Sequence, residues 1–283
     1  MARQETLTAW ILLNDVRLDL RVQELSWIKS VFPGWHDLQV SISAFGEQFT
    51  GRGSDLDANT ALGKAVCEAV ERATCFSHGI SSLGVAGHLS LELATANARL
   101  EYVERFCFSR QVEGGFALVP LSSPAPIRER YAQRGIAVAF HRLASPEETP
   151  VVLCLASGEK ADPSFGGILG LGAAENAGAA CQKALVECLR SLEFYLHTKP
   201  APLSLEGFRK IEQPHAQDRQ ALLRDGDYYH QLMARLIKSP PPDFKIPEGR
   251  FDQLAVDSVF SGCPLVFARY STPAPLVQPE FLA

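Results

Sequence analysis

Apolar and charged positions mix at helical or ambiguous spacing through residues 1–30, and clearer patterns begin after them. Leu38, Val40, Ile42 and Ala44 alternate with polar neighbours, which predicts a half-buried strand over residues 37–46. It runs into Gly51-Arg52-Gly53, read as a turn, and then into Ser54, Asp55 and Asp57. Short polar side chains of this kind take up the free N–H groups at a helix start. The helix they open is predicted over residues 58–75, with Leu62, Ala65, Val66, Ala69 and Val70 on its buried side. Residues 81–87 are a turn-rich approach to a second helix over 91–107. Strands are predicted over 115–125 and 136–143, and a wholly apolar one, buried on both faces, over 150–156. Gly166, Gly167, Gly170 and Gly172 then open a third helix over 176–197, which Lys199-Pro200 ends. Beyond it, residues 216–237 are helical in pattern, 239–242 form a loop or stiff linker, and 264–270 form a last strand. The tail from 271 to 283 carries Pro273, Pro275 and Pro279 and is expected to be extended. Strands and helices alternate with an antiparallel flavour, so the expected class is α+β with mixed or antiparallel sheets. No hard domain boundary shows. Residues 1–283 are read as one domain, with its motifs in 38–197 and a C-terminal part in 198–283.

One pattern recurs three times. GRG is followed by Ala61, Lys64, Ala65, Glu68, Glu71 and Arg72. LGVAG is followed by Ala94, Asn97, Ala98, Glu101, Glu104 and Arg105, and GLG by Ala180, Lys183, Ala184, Glu187 and Arg190. Spacings of three and four put the polar residues of each set on one helical stripe with the alanines beside it. A single E-x-x-E-R is commonly a solvated, ion-paired face of little energetic weight. Three copies at matched offsets from glycines are different, because acidic helices brought together must be neutralised. A divalent cation does this, and carboxylate oxygens suit Mg²⁺, which usually bridges to nucleotide phosphates. Lys64, Arg72, Arg105, Lys183 and Arg190 would serve as a phosphate clamp. Gly84 and Gly87, placed before an acidic helix, would offer backbone N–H groups to an anion. Asn97, on the second stripe, joins these cofactor contacts.

Composition narrows the alternatives. The chain has 283 residues, 46% hydrophobic and 21% charged, with a net charge of -5. It lacks the basic footprint that nucleic-acid binding needs. Its seven cysteines form no C-x-x-C, and four of them, Cys67, Cys107, Cys181 and Cys188, fall within helical patterns. They read as small core residues in a reducing compartment, not as a disulfide framework or a zinc site. The N-terminus is unlike a signal peptide and no window suits a membrane span, so a cytoplasmic location is expected. The common P-loop and the G-x-S-x-G nucleophile elbow are absent from the sequence.

Gly51-Arg-Gly53 through Glu68-Ala-Val-Glu71-Arg72 resembles the first conserved block of the YcaO family. Ser82-Leu-Gly-Val-Ala-Gly87 through Glu101-Tyr-Val-Glu104-Arg105 resembles its second. Pro150-Val-Val with Gly170-Leu-Gly-Ala-Ala174 and Ala184-Leu-Val-Glu187 is similar to its third, and the blocks stand in family order. The resemblance implies an α+β fold that binds ATP through Mg²⁺ ions held by helix glutamates. It also implies phosphorylation of a peptide backbone amide oxygen, with an azoline, thioamide or amidine left after phosphate departs. Such proteins act on ribosomally made peptides or on proteins, often with a separate recognition partner and often as dimers. On that resemblance Glu68, Glu71, Glu101, Glu104 and Glu187 are metal ligands and Arg105 a phosphate contact. The chain departs from the family at Lys64, where Ser is usual, at Phe106, where Asp is common, and at Arg190, where Gln is common. Lys64 and Phe106 support a second reading, a non-catalytic partner subunit of a peptide-modifying complex. A third reading, carried only by the acidic stripes, is an ATP-using ligase on an unrelated fold.

Overall fold

The computed structural model describes residues 2–114, 118–145, 148–158, 165–199, 201–211, 216–236, 245–273 and 276. The elements in chain order are α1 (Ala2–Asn14), β1 (Arg21–Glu24), β2 (His36–Ala44), β3 (Glu47–Asp55), α2 (Ala58–Ser77), β4 (Val85–His88) and α3 (Leu91–Gly114). There follow β5 (Val119–Leu121), α4 (Ala125–Ala132), β6 (Ile136–Arg142), β7 (Val151–Gly158), β8 (Gly167–Ala173) and α5 (Ala177–Thr198). The chain continues with α6 (Leu205–Phe208), α7 (Ala216–Leu223), α8 (Gly226–Leu236), β9 (Arg250–Leu254) and β10 (Val266–Ser271). Every strand pairing among the described residues is antiparallel, and the class is α+β.

The chain gathers into two compact units. The first joins Met1–Tyr102 to Glu248–Pro273, and the second joins Val103–Pro247 to Ala274–Ala283. The division falls inside α3, and the C-terminal part from 198 onward contributes to both units.

The first unit holds two sheets, ordered β1-β2-β3 and β4-β10-β9. Its core unites Leu7, Trp10 and Ile11 of α1, Val40 and Ile42 of β2, the apolar face of α2, and Phe260, Leu265 and Phe267. Asp57 caps α2 by accepting the Thr60 N–H at 2.8 Å. The helix lies so close to β3 that side chains there have no room. A Cβ on Gly51 would stand 2.1 Å from the Ala65 carbonyl oxygen, and one on Gly53 2.0 Å from that of Ala61. Gly51-Arg52-Gly53 is therefore strand and not the expected turn. The glycines let a helix lie against a sheet, with alanines as the facing surface.

The second unit holds the sheet β5-β6-β7-β8. It repeats the construction of the first: a hairpin followed by a helix that folds back on its second strand. Asn176 caps α5 through the Ala179 N–H at 2.9 Å. A Cβ on Gly170 would stand 2.3 Å from the Ala184 carbonyl oxygen, and one on Gly172 2.2 Å from that of Ala180. Gly170 and Gly172 are likewise strand residues. Gly51, Gly53, Ala61, Lys64, Ala65 and Glu68 thus recur at one constant offset as Gly170, Gly172, Ala180, Lys183, Ala184 and Glu187. The third stretch of the sequence repeat is built differently. Gly84 turns at φ +66°, while Gly87 lies in β4, where a Cβ would strike the Phe267 ring and the Cys67 sulfur.

Other elements differ from the expectation in detail. The predicted helix over 216–237 is two helices, because Asp225 accepts the Tyr228 N–H at 2.9 Å and opens α8 afresh. The strand expected over 115–125 shrinks to β5, ahead of α4. The second helix runs on to Gly114. The linker over 239–242 and, residue 276 apart, the tail from 274 to 283 lie outside the described residues. No helix among the described residues is long and apolar enough to cross a membrane.

Candidate functional site

In the first unit, a cavity of about 380 Å³ is lined by Lys64, Glu68, Glu71, Gly87 and Asn97, all named from the sequence. Thr60, Gly63, Cys67, His88 and Leu89 line it too, together with Leu7 and Leu265 from distant parts of the chain. Thr60, Gly63, Lys64, Cys67, Glu68 and Glu71 are spaced at three and four, so one face of α2 forms the wall. That spacing was the signal for Thr60, Gly63 and Cys67. Nothing local marks Leu7 or Leu265, which fold brings in.

Strand backbone fixes the carboxylates. Arg52 N–H donates to Glu68 Oε2 at 2.7 Å, and Gly87 N–H donates to Glu71 Oε2 at 3.1 Å. Glu68 also takes the Arg72 guanidinium at 2.5 Å, while Arg72 reaches the Thr50 carbonyl at 2.7 Å. Lys64 turns to the edge of β3: its Nζ donates to Asp55 at 2.7 Å and to the Ser54 carbonyl at 3.3 Å. Burial, reinforced by Glu101 and then by Glu68, raises the Glu71 carboxyl well above the usual range, with the Gly87 N–H and Arg72 opposing. Burial, then Glu71, Cys263 and Glu68, hold the Cys67 thiol well up, which makes it a wall residue and a poor nucleophile. Gly84 is not among the lining residues. Its carbonyl accepts the Tyr270 N–H at 2.8 Å, and it makes the turn into β4 at φ +66°. His88 Nδ1 accepts the Ser90 N–H at 3.1 Å.

The second unit carries Glu104, Arg105, Lys183, Glu187 and Arg190. Leu171 N–H donates to Glu187 Oε2 at 3.0 Å, the counterpart of the Arg52–Glu68 bond. Glu104 is only 2% exposed. Its Oε2 accepts both the Ala173 N–H at 2.9 Å and Lys183 Nζ at 2.9 Å, and Arg105 Nε stands 3.8 Å from its other oxygen. Burial works against the charged form of Glu104, yet Lys183 and Arg105 hold its carboxyl below the usual range. For Glu187 burial prevails over Arg105, Lys183 and Arg190, and its carboxyl is raised.

Four of the five glutamates therefore accept a strand N–H, which orients each carboxylate. Among the described residues no three His, Cys, Asp or Glu side chains gather closely enough to enclose an ion by themselves. Mg²⁺ is commonly held by one or two carboxylates, with phosphate and water oxygens completing its shell. The oxygen donors Glu68 and Glu71 beside a cavity, with burial and then like charge raising Glu71, fit that need.

The family model of the YcaO cyclodehydratases, described as ATP- and Mg²⁺-binding, matches residues 79–257. The chain belongs to the YcaO family. Those two ligands, ATP and Mg²⁺, are the cofactors expected from the sequence. A YcaO protein from Methanopyrus kandleri, solved with AMPPCP and Mg²⁺, aligns over 95% of this chain and 90% of its own at 14% identity, with a TM-score of 0.62. A heterocyclase solved with substrate and cofactor aligns over 96% of this chain but 52% of its own, at 12% identity and a TM-score of 0.65. At such identities the likeness shows the fold. This YcaO chain spans about half the length of that heterocyclase. A search of curated proteins found no match.

Proposed function

We propose that the chain binds ATP with Mg²⁺ and activates a backbone amide of a ribosomally made peptide or a protein for azoline or thioamide formation. The observation that carries this reading is the α2 wall of the first unit, where Glu68 and Glu71 line a cavity with one oxygen each tied to a strand N–H. Bound ATP would supply the phosphoryl group that turns the amide oxygen into a leaving group. The protein's part is positioning and charge neutralisation. Glu68, Glu71 and Glu101 in the first unit are the metal ligands we propose, and Glu104 and Glu187 in the second form a further carboxylate pair that the sequence names for the same role. Lys64, Arg72, Gly84, Gly87, Asn97, Arg105, Lys183 and Arg190 are the cofactor contacts we propose. A separate recognition protein and a homodimer are parts of the same proposal, as is a cytoplasmic setting.

Lys64 bears on the alternative of a non-catalytic subunit. Its ammonium is engaged at Asp55 and does not sit between the glutamates. Phe106, the other departure, is 7% exposed and serves as a core side chain. Both observations favour the enzyme. Calorimetry with a slowly hydrolysed ATP analogue decides: binding should require Mg²⁺ and vanish in Glu71→Gln. Metal-independent binding, or an unaffected variant, would refute the proposed site.

A further inference from the structure

The two hairpin–helix units place an equivalent lysine in opposite ways. In the first unit Lys64 is held by Asp55 at the end of β3. Asp55 stands two residues after Gly53, and the residue two after Gly172 is Ala174. An alanine has nothing to hold Lys183, whose ammonium lies on Glu104 instead at 2.9 Å. Three cations, Lys183, Arg105 and Arg190, act on the second unit's two glutamates. In the first unit Lys64 is spent on Asp55, and Glu68 and Glu71 on one face of α2 have the single cation Arg72 between them. A divalent cation is drawn to the first arrangement and repelled by the second, and a buried carboxylate needs only one compensating charge.

We propose that Lys183 is a built-in replacement for a second cation, so that a single divalent ion enters with the nucleotide, on the carboxylates of the first unit. The inference rests on the ATP and Mg²⁺ reading above. It makes Asp55 and Ala174 the residues that decide which unit keeps an open metal position. Asp55 draws a lysine away from the glutamates, and Ala174 leaves one upon them.

Equilibrium dialysis of the full chain with Mn²⁺, at a saturating concentration of a non-hydrolysable ATP analogue, counts the ions held by protein. The wild type should retain one Mn²⁺ per chain. Lys183→Met should retain two. Ala174→Asp should also retain two, because the new carboxylate takes Lys183 as Asp55 takes Lys64, with no cation removed. Circular dichroism and thermal melting establish that each variant is folded. Two ions in the wild type, or one in both folded variants, would overturn the inference and leave the nucleotide site standing. Nucleotide binding without any retained Mn²⁺ would overturn the metal reading and this inference together.

Discussion

Arg52 donates its backbone N–H to Glu68 at 2.7 Å, while its guanidinium holds the fully buried Asp37 from the same strand position. One residue of β3 thus orients a candidate ligand with its main chain and anchors the neighbouring strand with its side chain. Asp37 also accepts the Ser54 hydroxyl at 2.7 Å. Removing the carboxylate deletes its bonds to Arg52 and Ser54. Asp37→Ala should destabilise the protein by about 3 kcal/mol, the lower end for a broken buried pair because Arg52 is partly exposed. Urea unfolding followed by circular dichroism measures it. A loss under about 1 kcal/mol would show that the pair is peripheral.

The glycine pairs make a sharper prediction. Gly53→Ala and Gly172→Ala each place a methyl group about 2 Å from a helix carbonyl, a backbone atom that cannot swing aside. Overpacking of this kind costs about 1–3 kcal/mol, and both variants belong at the upper end. Gly178→Ala is the control, since a Cβ there meets only Asn176 Oδ1 at 3.4 Å, an ordinary contact, and no positive φ adds strain. Equal losses at all three positions would refute close helix approach as the reason for the strand glycines.

Glu71 sets a pH dependence. Burial, Glu101 and Glu68 keep its proton on above the usual carboxylate range. In that interval the folded chain holds a proton that the unfolded chain has released, so Glu71 makes stability fall as pH rises through it. A metal ligand must lose that proton. Mg²⁺-dependent nucleotide binding should therefore tighten as pH rises through the interval and should release protons, read by calorimetry in buffers of different ionisation enthalpy. Comparing the stability–pH profiles of the wild type and Glu71→Gln isolates the group from Glu104, whose lowered pKa acts in the opposite sense. Binding that weakens with rising pH would contradict the assignment.

The thiols should be quiet. Burial lifts Cys75 to about 12 and Cys263 to about 11. At pH 8 little of either is thiolate, and the thiolate is the reactive form. Iodoacetamide should label both slowly in the native protein and readily after denaturation, as mass spectrometry of tryptic peptides would show. Fast native labelling of either would mean that its surroundings open.

Tyr131 and Glu193 test a buried contact of the second unit. The phenol donates to the carboxylate at 2.6 Å, and both residues are buried. Tyr131→Phe removes one donor from a carboxylate that Arg134 approaches only to 3.6 Å. The cost should be about 1–3 kcal/mol, and an unchanged melting curve would show that another donor suffices.

Much of the candidate site was legible because helix periodicity is local. Glu68, Glu71 and Lys64 share a face of α2 by spacing alone, and Asp57 and Asn176 mark helix starts by side-chain chemistry. The glycine pairs stand out in the sequence, where they predict turns. Glycine's lack of a side chain serves a turn and a close helix approach equally, and only the packed alanines distinguish them. Short strands such as β1, β4 and β9 escaped because their patterning is carried by partners far along the chain. The likeness of the three acidic stretches was real for two of them. The third places its strand in another sheet, a difference of pairing that a motif does not record.

The strand N–H bonds also bear on which ion the proposed site would take. Glu71, with one oxygen held by the Gly87 N–H, presents the other as a single donor. Calcium commonly grips a carboxylate through both oxygens and asks for six to eight ligands, whereas magnesium accepts single oxygens in a strict octahedron. The hydrogen bond that ties Glu71 of α2 to β4 would thus work as a filter on ionic size. Discrimination between the two cations would be written into the register of a helix against its strands.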